Sequence, residues 1–140
     1  MKKFIGLFFI VYFVLQINNS SYGQDDRWVY IGKSSDQVEY YVDKKSILCD
    51  SWGNLIAWGK INHLNGLTKW SYGQMKLVDF VLVRFILHRD RYYEEIERFC
   101  YYVDGGTDSY RLSNSDGPII PGTMNELIFD YLFSNYSCSN

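Results

Sequence analysis

The strongest constraint on the fold is the alternation of apolar and polar residues between Trp28 and Ile47. Apolar side chains occupy every second position at Trp28 and Tyr30 and again over Val38–Val42, a period that predicts half-buried β-strands. The polar stretch SSDQ separates the two runs and is typical of a short turn. The segment therefore predicts the first hairpin of an antiparallel sheet, and it contains no catalytic motif.

The first 23 residues carry the features of a cleavable signal peptide. Lys2 and Lys3 precede an apolar run of 12 residues (4–15), and small residues at Ser21 and Gly23 fit cleavage after Gly23. That run is too short to span a bilayer, which disfavours a membrane anchor. We expect residues 1–23 to be removed and residues 24–140 to form an exported domain in the periplasm, at the cell surface or secreted, without a membrane span in the mature chain.

The net charge of the mature chain argues against nucleic acid as a partner. Removing Lys2 and Lys3 leaves 12 basic residues against 16 acidic ones, a net charge of −4. Nucleic-acid binding needs a basic footprint, so we expect no nucleic-acid partner. The length suits one domain with its own core, and the many Tyr, Phe and Trp residues fit strand formation and core filling better than an aromatic ligand site.

Three cysteines, Cys49, Cys100 and Cys138, leave at least one thiol outside any intramolecular pair. Their spacing matches no metal motif, and His63 and His88 add no second ligand from one element, so no metal site is expected. We therefore expect buried or idle thiols. His63 is expected to be a solvated loop histidine, because no local motif supplies a nucleophile and an orienting acid.

Beyond a turn at 49–54, Leu55–Ile61 predicts a strand and residues 63–73 a polar loop. The following segment, 74–103, fits two interpretations. As far as His88 both faces of an alternating pattern are apolar, as in a strand buried on both sides or a buried helix. From residue 92 onward apolar side chains recur at helical spacing, and the local pattern alone favours a helix there.

This region and the loop before it combine basic and aromatic residues, which suit protein recognition because Arg, Tyr and Trp give large contact areas and directional hydrogen bonds. Five interleaved acidic residues leave open the alternative of a solvated face of ion pairs. The candidate protein-binding patch comprises Trp70, Tyr72, Arg84, Arg89, Arg91, Tyr92, Tyr93 and Arg98.

The C-terminal part predicts a turn-rich stretch with a short strand near 109–112, followed by a helix. Thr123 and Glu126 form the capping box T-x-x-E, in which each side chain satisfies a backbone N–H of the other residue. The apolar stripe expected to pack on the sheet consists of Met124, Leu127, Ile128, Tyr131 and Leu132.

The motif W-x-x-I-G-x-S-x-D-x-x-E-Y-Y-V-D-x-x-S-I over 28–47 resembles the opening of the surface-adhesin protein E-like family of exported bacterial proteins. The charged turn 88–91 and the ending with Pro121, Thr123 and Glu126 match the family as well, so that the resemblance covers nearly all of 27–133. It implies an α+β fold, an antiparallel sheet of about six strands with one C-terminal helix packed on it. It also implies that both arms of 74–103 are strands.

The resemblance implies an exported, non-enzymatic protein-binding module, adhesin-like because the named adhesin of the family binds host matrix and plasma proteins. The alternative is a structural or envelope-assembly protein that acts through self-association. An enzyme is not expected, because the chain lacks a catalytic triad, a nucleophile elbow, a paired carboxylate motif and a phosphate loop. No cofactor is expected.

Family members also carry a disulfide that the resemblance places at two positions of this chain. They are His88, or Leu87 if the register is shifted by one residue, at the end of the strand before the charged turn, and Phe133, in the C-terminal helix. None of these residues is a cysteine, so we expect no disulfide at these positions.

The predicted leader has a direct test. Protein purified from the native host should begin at Gln24, open or cyclised, because cleavage follows the small residue Gly23. Intact mass spectrometry measures this, and an N-terminus at Met1 would contradict the prediction.

Overall fold

The computed structural model describes residues 26–110 and 116–138, and the predicted leader lies outside the described residues. It shows an antiparallel sheet with one C-terminal helix, which confirms the expected α+β class. The elements within the described residues are β1 (Trp28–Lys33), β2 (Val38–Asp43), β3 (Leu48–Cys49), β4 (Leu55–His63), β5 (Leu67–Ser71), β6 (Gln74–His88), β7 (Tyr92–Tyr102), β8 (Thr107–Tyr110), β9 (Gly117–Pro118) and α1 (Met124–Asn135).

Six of these strands form the width of the sheet, in the order β1-β2-β4-β6-β7-β8. The short strands β3, β5 and β9 pair with β4, β6 and β7. The first hairpin is confirmed: β1 pairs with β2, and the Ser34 N–H donates to the Val38 carbonyl across the SSDQ turn at 2.9 Å.

The segment 74–103 forms the longest hairpin of the sheet, β6 and β7, so both arms are strands as the family resemblance implies. The helical spacing in β7 has a physical cause. Ile96 has no partner in β6, because Glu95 pairs with Phe85 and Glu97 pairs with Arg84. This β-bulge interrupts the period of two, and strand pairing overrides the local helical pattern.

The helix covers one face of the sheet only. Side chains on this face are almost fully buried, among them Val42, Leu55, Phe85 and Leu87, with 0–2% exposure. The opposite face, called here the open face, carries half-buried aromatic and aliphatic side chains. The expectation that β6 is buried on both sides is therefore wrong for one side, which faces no described helix.

Two further expectations on the strands need correction. Residues 63–73 are not a polar loop, since Leu67–Ser71 forms β5 and pairs with β6 from Leu67↔Val78 to Ser71↔Gln74. The strand expected near 109–112 is β8, which begins earlier, at Thr107, and whose predicted end lies outside the described residues.

The helix begins where the capping box predicts, but the box itself is not formed. Thr123 is the N-cap, yet its hydroxyl donates to the Ile120 carbonyl at 2.6 Å and accepts no helical N–H. Glu126 does reach back, to the N–H of Gly122 at 2.7 Å, one residue before the expected partner. Of the two hydrogen bonds of the predicted capping box, the one to the Thr123 hydroxyl is thus replaced by a hydrogen bond within the preceding turn.

The buried stripe of α1 is shifted around the helix relative to the expected one. The buried residues are Ile128, Phe129 and Leu132, whereas Leu127 is 48% exposed. Arg91 packs on Phe129, with its guanidinium carbon 4.9 Å from the ring centroid. The Nη2 of Arg91 also donates to Glu126 at 2.7 Å. This cation–π contact draws the helix toward the β6–β7 turn.

The cysteines correct the expectation of idle thiols. Cys49 at the end of β3 and Cys138 behind α1 form a disulfide with Cα atoms 5.6 Å apart, and Cys100 is a free, buried thiol. Cys49 pairs with Leu55, and Leu55 with Leu87. The disulfide therefore joins the C-terminal segment to the end of the sheet that holds His88, although not through the two family positions.

The disulfide predicts a thiol count. Denatured, unreduced protein should show one reactive thiol with Ellman's reagent and three after reduction, because only Cys100 is unpaired in the described residues. The double variant Cys49→Ser/Cys138→Ser should lose about 4 to 5 kcal/mol of unfolding free energy by the chain-entropy estimate for a separation of 89 residues. Three reactive thiols before reduction would contradict the pairing.

Candidate functional site

The eight residues of the predicted binding patch do not form a single surface. Trp70 and Tyr72 lie at one end of β6, and Arg89, Arg91 and Tyr92 lie at the other. The 15 residues of β6 separate these ends by about 50 Å at the usual rise per strand residue.

The residues at the second end have structural partners. Arg89 joins three segments: its Nε donates to the Gly53 carbonyl at 3.0 Å, and its Nη2 donates to the Cys138 carbonyl at 2.9 Å. A Cβ at Gly53 would lie 2.5 Å from that Nη2, so this approach needs glycine. Tyr92 donates to Asp116 at 3.1 Å. These contacts, together with the disulfide, define what we call the disulfide end.

The remaining three patch residues lie on different faces of the sheet. Arg84 is on the open face, where its Nη1 donates to Glu97 at 3.1 Å. Tyr93 and Arg98 pair with Leu87 and Val83, so they share the face that α1 covers.

The first end of β6 carries a cluster of exposed apolar side chains. Trp70 pairs with Met75 across the β5–β6 hairpin, and the Val103 N–H donates to the Leu77 carbonyl at 3.0 Å. Five of the eleven large apolar residues that are exposed among the described ones lie here, with exposures from 48% to 86%. We call this cluster the apolar tip: Trp70, Tyr72, Met75, Leu77 and Val103.

Tyr72 adopts a backbone conformation that a bulky residue rarely takes. It has φ 48° and the next residue, Gly73, has φ 80°, so both central residues of the two-residue turn are left-handed, as a type I′ turn requires. Asn is preferred at the first of these positions, and tyrosine there costs on the order of 1 kcal/mol. Two other described non-glycine residues have positive φ, Gln37 and Arg91, and their side chains have hydrogen-bond or ionic partners. Tyr72 has none among the described residues and is 86% exposed.

The charges beside the apolar tip are already compensated. Lys76 Nζ lies 3.0 Å from Asp104, and the Lys76 side chain is only 15% exposed. Lys69 Nζ lies 4.7 Å from the centroid of the Tyr110 ring. The tip therefore presents apolar surface without a free basic cluster among the residues that the structure describes.

The open face forms a second apolar surface. Phe80 stacks on Tyr101 with centroids 4.5 Å apart, and Trp58 lies 5.9 Å from Phe99. A groove of about 260 Å³ crosses this face, lined by Arg27, Trp28, Trp58, Leu82, Phe99 and Tyr101.

A cleft of about 400 Å³ lies on the other face, between the sheet and α1. Glu95 is buried at its base, and both of its oxygens accept from Arg98, from Nε at 2.8 Å and from Nη2 at 2.9 Å. Residues three apart on a regular strand point to opposite faces, and the bulge at Ile96 brings these two to the same face.

The cleft also holds two tyrosines that stay protonated. Burial raises the pKa of Tyr93 well above its usual range, and the adjacent Glu95 raises it further. Burial likewise raises the pKa of Tyr40. The hydrogen bond to Glu95 raises the pKa of Arg98. Both phenol groups are therefore neutral and able to donate, and Arg98 stays charged.

The histidines and the free cysteine are not part of a reactive group in the described residues. His63 is not a solvated loop histidine as expected: it ends β4 and is half-buried, and burial lowers its pKa. His88 lies 3.3 Å from Glu94, and Cys100 Sγ lies 3.6 Å from Lys69 Nζ. Within 26–110 and 116–138 no three His, Cys, Asp or Glu side chains are placed to hold a metal ion. Nor is α1, the helix within these ranges, long and apolar enough to cross a membrane.

Sequence reasoning missed Met75, Leu77 and Val103 of the apolar tip and Glu95 of the cleft. The tip had a usable signal: Tyr72-Gly73 stands between the alternating runs LTKWS and QMKL, and a residue pair containing glycine between such runs indicates a hairpin. The cleft had no such signal in the sequence, because the bulge at Ile96, which brings Glu95 and Arg98 to one face, follows from strand pairing.

Searches of protein-family models, curated proteins and solved structures found no match to this chain. The resemblance to the surface-adhesin protein E-like family therefore remains a prediction from the quoted motifs.

The strain at Tyr72 can be measured. Tyr72→Asn should raise the free energy of unfolding by about 1 kcal/mol, because Asn tolerates the left-handed conformation. Urea denaturation measures the change. Tyr72→Phe keeps the strain and should leave stability unchanged, and equal stabilities of the parent protein and the Tyr72→Asn variant would refute strain at this turn.

Proposed function

We propose that this chain is an exported, non-enzymatic protein-binding module and that the apolar tip contacts its protein ligand. The observation that carries the proposal is Tyr72, a bulky side chain that is 86% exposed on a left-handed backbone. Its conformational cost is offset by no contact within the described chain. A residue kept under such conditions is best explained by a contact outside the chain.

The composition of the apolar tip favours a protein over other partners. Trp, Tyr and Met are enriched where proteins bind proteins, and a few such residues dominate the binding free energy. An anionic membrane surface would favour free basic residues beside the tip, whereas Lys76 is paired with Asp104.

The sheet supports the tip at a distance from the disulfide end. β5, β6 and β7 are joined by backbone pairing, and the other end of β6 is anchored through Arg89 and the disulfide. A fixed scaffold reduces the ordering cost of binding at the tip. By family resemblance the ligand is a host matrix or plasma protein, and the module is adhesin-like.

The proposal is tested with purified matrix and plasma proteins flowed over the immobilised mature domain in surface plasmon resonance. We expect at least one to bind and Tyr72→Asn or Trp70→Ser to weaken it at least tenfold, about 1.4 kcal/mol. Trp52→Ser is the matched control, since Trp52 is 79% exposed in the turn behind β3.

Because Tyr72→Asn is expected to stabilise the fold, loss of binding by this variant cannot be attributed to unfolding. Equal binding by the tip variants and the Trp52→Ser control would contradict the proposed contact site, and no binding across the panel would contradict the adhesin-like ligand class.

The open face supports a second candidate, self-association in a structural or envelope-assembly protein. Its groove is lined mostly by apolar side chains, and Arg84 and Glu97 on the same face form an ion pair that adds no net charge. Sedimentation equilibrium separates the candidates. A tight dimer that Trp28→Ser breaks and Tyr72→Asn preserves would favour self-association.

A further inference from the structure

The β5–β6 hairpin has an outer edge with which no described strand pairs. β5 pairs with β6 alone, and β6 uses its other side for β7, since Val78 pairs with both Leu67 and Tyr102. Backbone hydrogen bonding with the first hairpin ends before β5, where the Leu64 N–H donates to the Gln37 carbonyl at 3.1 Å. From there on, no hydrogen bond joins a backbone group of β5 to a described element other than β6.

The register identifies the backbone groups that point outward from β5. The type I′ turn after β5 makes Ser71 and Gln74 a hydrogen-bonded pair, and such pairs alternate with non-hydrogen-bonded ones along an antiparallel ladder. The N–H and C=O groups of Thr68 and Trp70 therefore point away from β6. Leu77, the partner of Thr68, accordingly turns its carbonyl away from β5, to the first N–H after β7.

The edge of β5 lacks the features that usually protect an exposed strand, which are a bulge, a proline, an outward-pointing lysine or a covering helix. The edge strand β1 has two of them. It is interrupted by a bulge between Tyr30 and Gly32, and a Cβ at Gly32 would lie 3.4 Å from Met124 Sδ of α1. β5 has neither bulge nor proline, and Lys69 points away from its edge, with Nζ 4.7 Å from the centroid of the Tyr110 ring on β8. The edge of β5 is therefore open to pairing.

The side chains beside this edge favour an apolar partner strand. Directly paired residues share a face of the sheet, so Thr68 and Trp70 lie on the same face as Leu77 and Met75, which are 48% and 57% exposed. A strand added to β5 would direct every second side chain to that face. A second copy of the chain fits this edge poorly, because two-fold pairing about its centre would set Lys69 opposite Lys69 of the other copy.

We propose that the protein ligand of the apolar tip adds an extended segment to β5 as a further strand, with apolar side chains at alternate positions. The outward N–H and C=O groups of Thr68 and Trp70 would hydrogen-bond to the backbone of this segment, and its apolar side chains would contact Trp70 and its neighbours. The inference rests on the function proposed above and names the form in which the ligand is recognised.

Nuclear magnetic resonance of the mature domain with a synthetic peptide tests the edge. The probe is Ac-EVTVTVE-NH2, and its matched control has every valine N-methylated, which removes the N–H groups that would face β5. In the free domain the amides of Thr68 and Trp70 should exchange with solvent faster than that of Lys69, which bonds to β6. The probe should slow the exchange of both amides and bind at least tenfold more tightly than the control.

Protection of Thr68 and Trp70 in the free domain would show that the edge is already occupied and would overturn the proposal. Absence of peptide binding, or equal binding of the probe and the N-methylated control, would overturn it as well.

Two variants test the location. Thr68→Pro removes one outward N–H without removing a bond to β6, and it should weaken binding of the probe at least tenfold. Thr68→Val keeps the N–H and should bind as the parent does. Thermal unfolding shows whether both variants are folded, and the N-methylated peptide provides the same test on the parent protein if Thr68→Pro does not fold. Undiminished binding by folded Thr68→Pro, or a homodimer that this substitution breaks, would overturn the proposed strand addition.

The same variants separate strand addition from contact at the tip. A matrix or plasma protein whose binding is weakened by Tyr72→Asn but not by Thr68→Pro would support the apolar tip and refute strand addition. Addition of the peptide to β5 without binding of any matrix or plasma protein would support the open edge and contradict the ligand class proposed for the tip.

Discussion

The pairing of β6 with β7 determines which face of the sheet each of their side chains reaches. Ten residue pairs join these strands from Val78↔Tyr102 to His88↔Tyr92, and two irregularities decide which face each side chain reaches. The bulge at Ile96 places Arg98 beside Glu95 beneath α1 and turns Phe99 to the open face. In a regular strand Arg98 would lie on the open face, and neither the buried ion pair nor the aromatic groove would exist in its present form.

The two ends of the β6–β7 hairpin differ in how many stabilising contacts they make. At the disulfide end Arg89, the Cys49–Cys138 bond and the stacking of Arg91 on Phe129 join three parts of the chain that are distant in sequence. At the other end the apolar tip leaves large side chains in solvent and places Tyr72 in a left-handed turn. Stabilising contacts therefore concentrate at one end, whereas the other end exposes apolar surface.

The sequence predicted the elements whose signals are local. The first hairpin follows from alternation around SSDQ, and α1 begins at the predicted Thr123, although the hydroxyl of this residue bonds to Ile120. The strands of 74–103 needed the family resemblance, because the bulge at Ile96 imitates helical spacing. The Cys49–Cys138 bond could not be predicted, because its ends are 89 residues apart and meet only when β3 and α1 are in place. The cleft between the sheet and α1 could not be predicted from the sequence either, because its residues meet only in the folded chain.

The central claim, that the apolar tip is the contact surface, is tested most directly by site-specific photocrosslinking in the native host. The photoreactive amino acid p-benzoylphenylalanine is placed at Tyr72 or, as a control, at Trp52, which is similarly exposed but lies in the turn behind β3. We expect a discrete protein adduct from position 72 and none from position 52. An adduct from position 52 alone, or none from position 72, would contradict the claim.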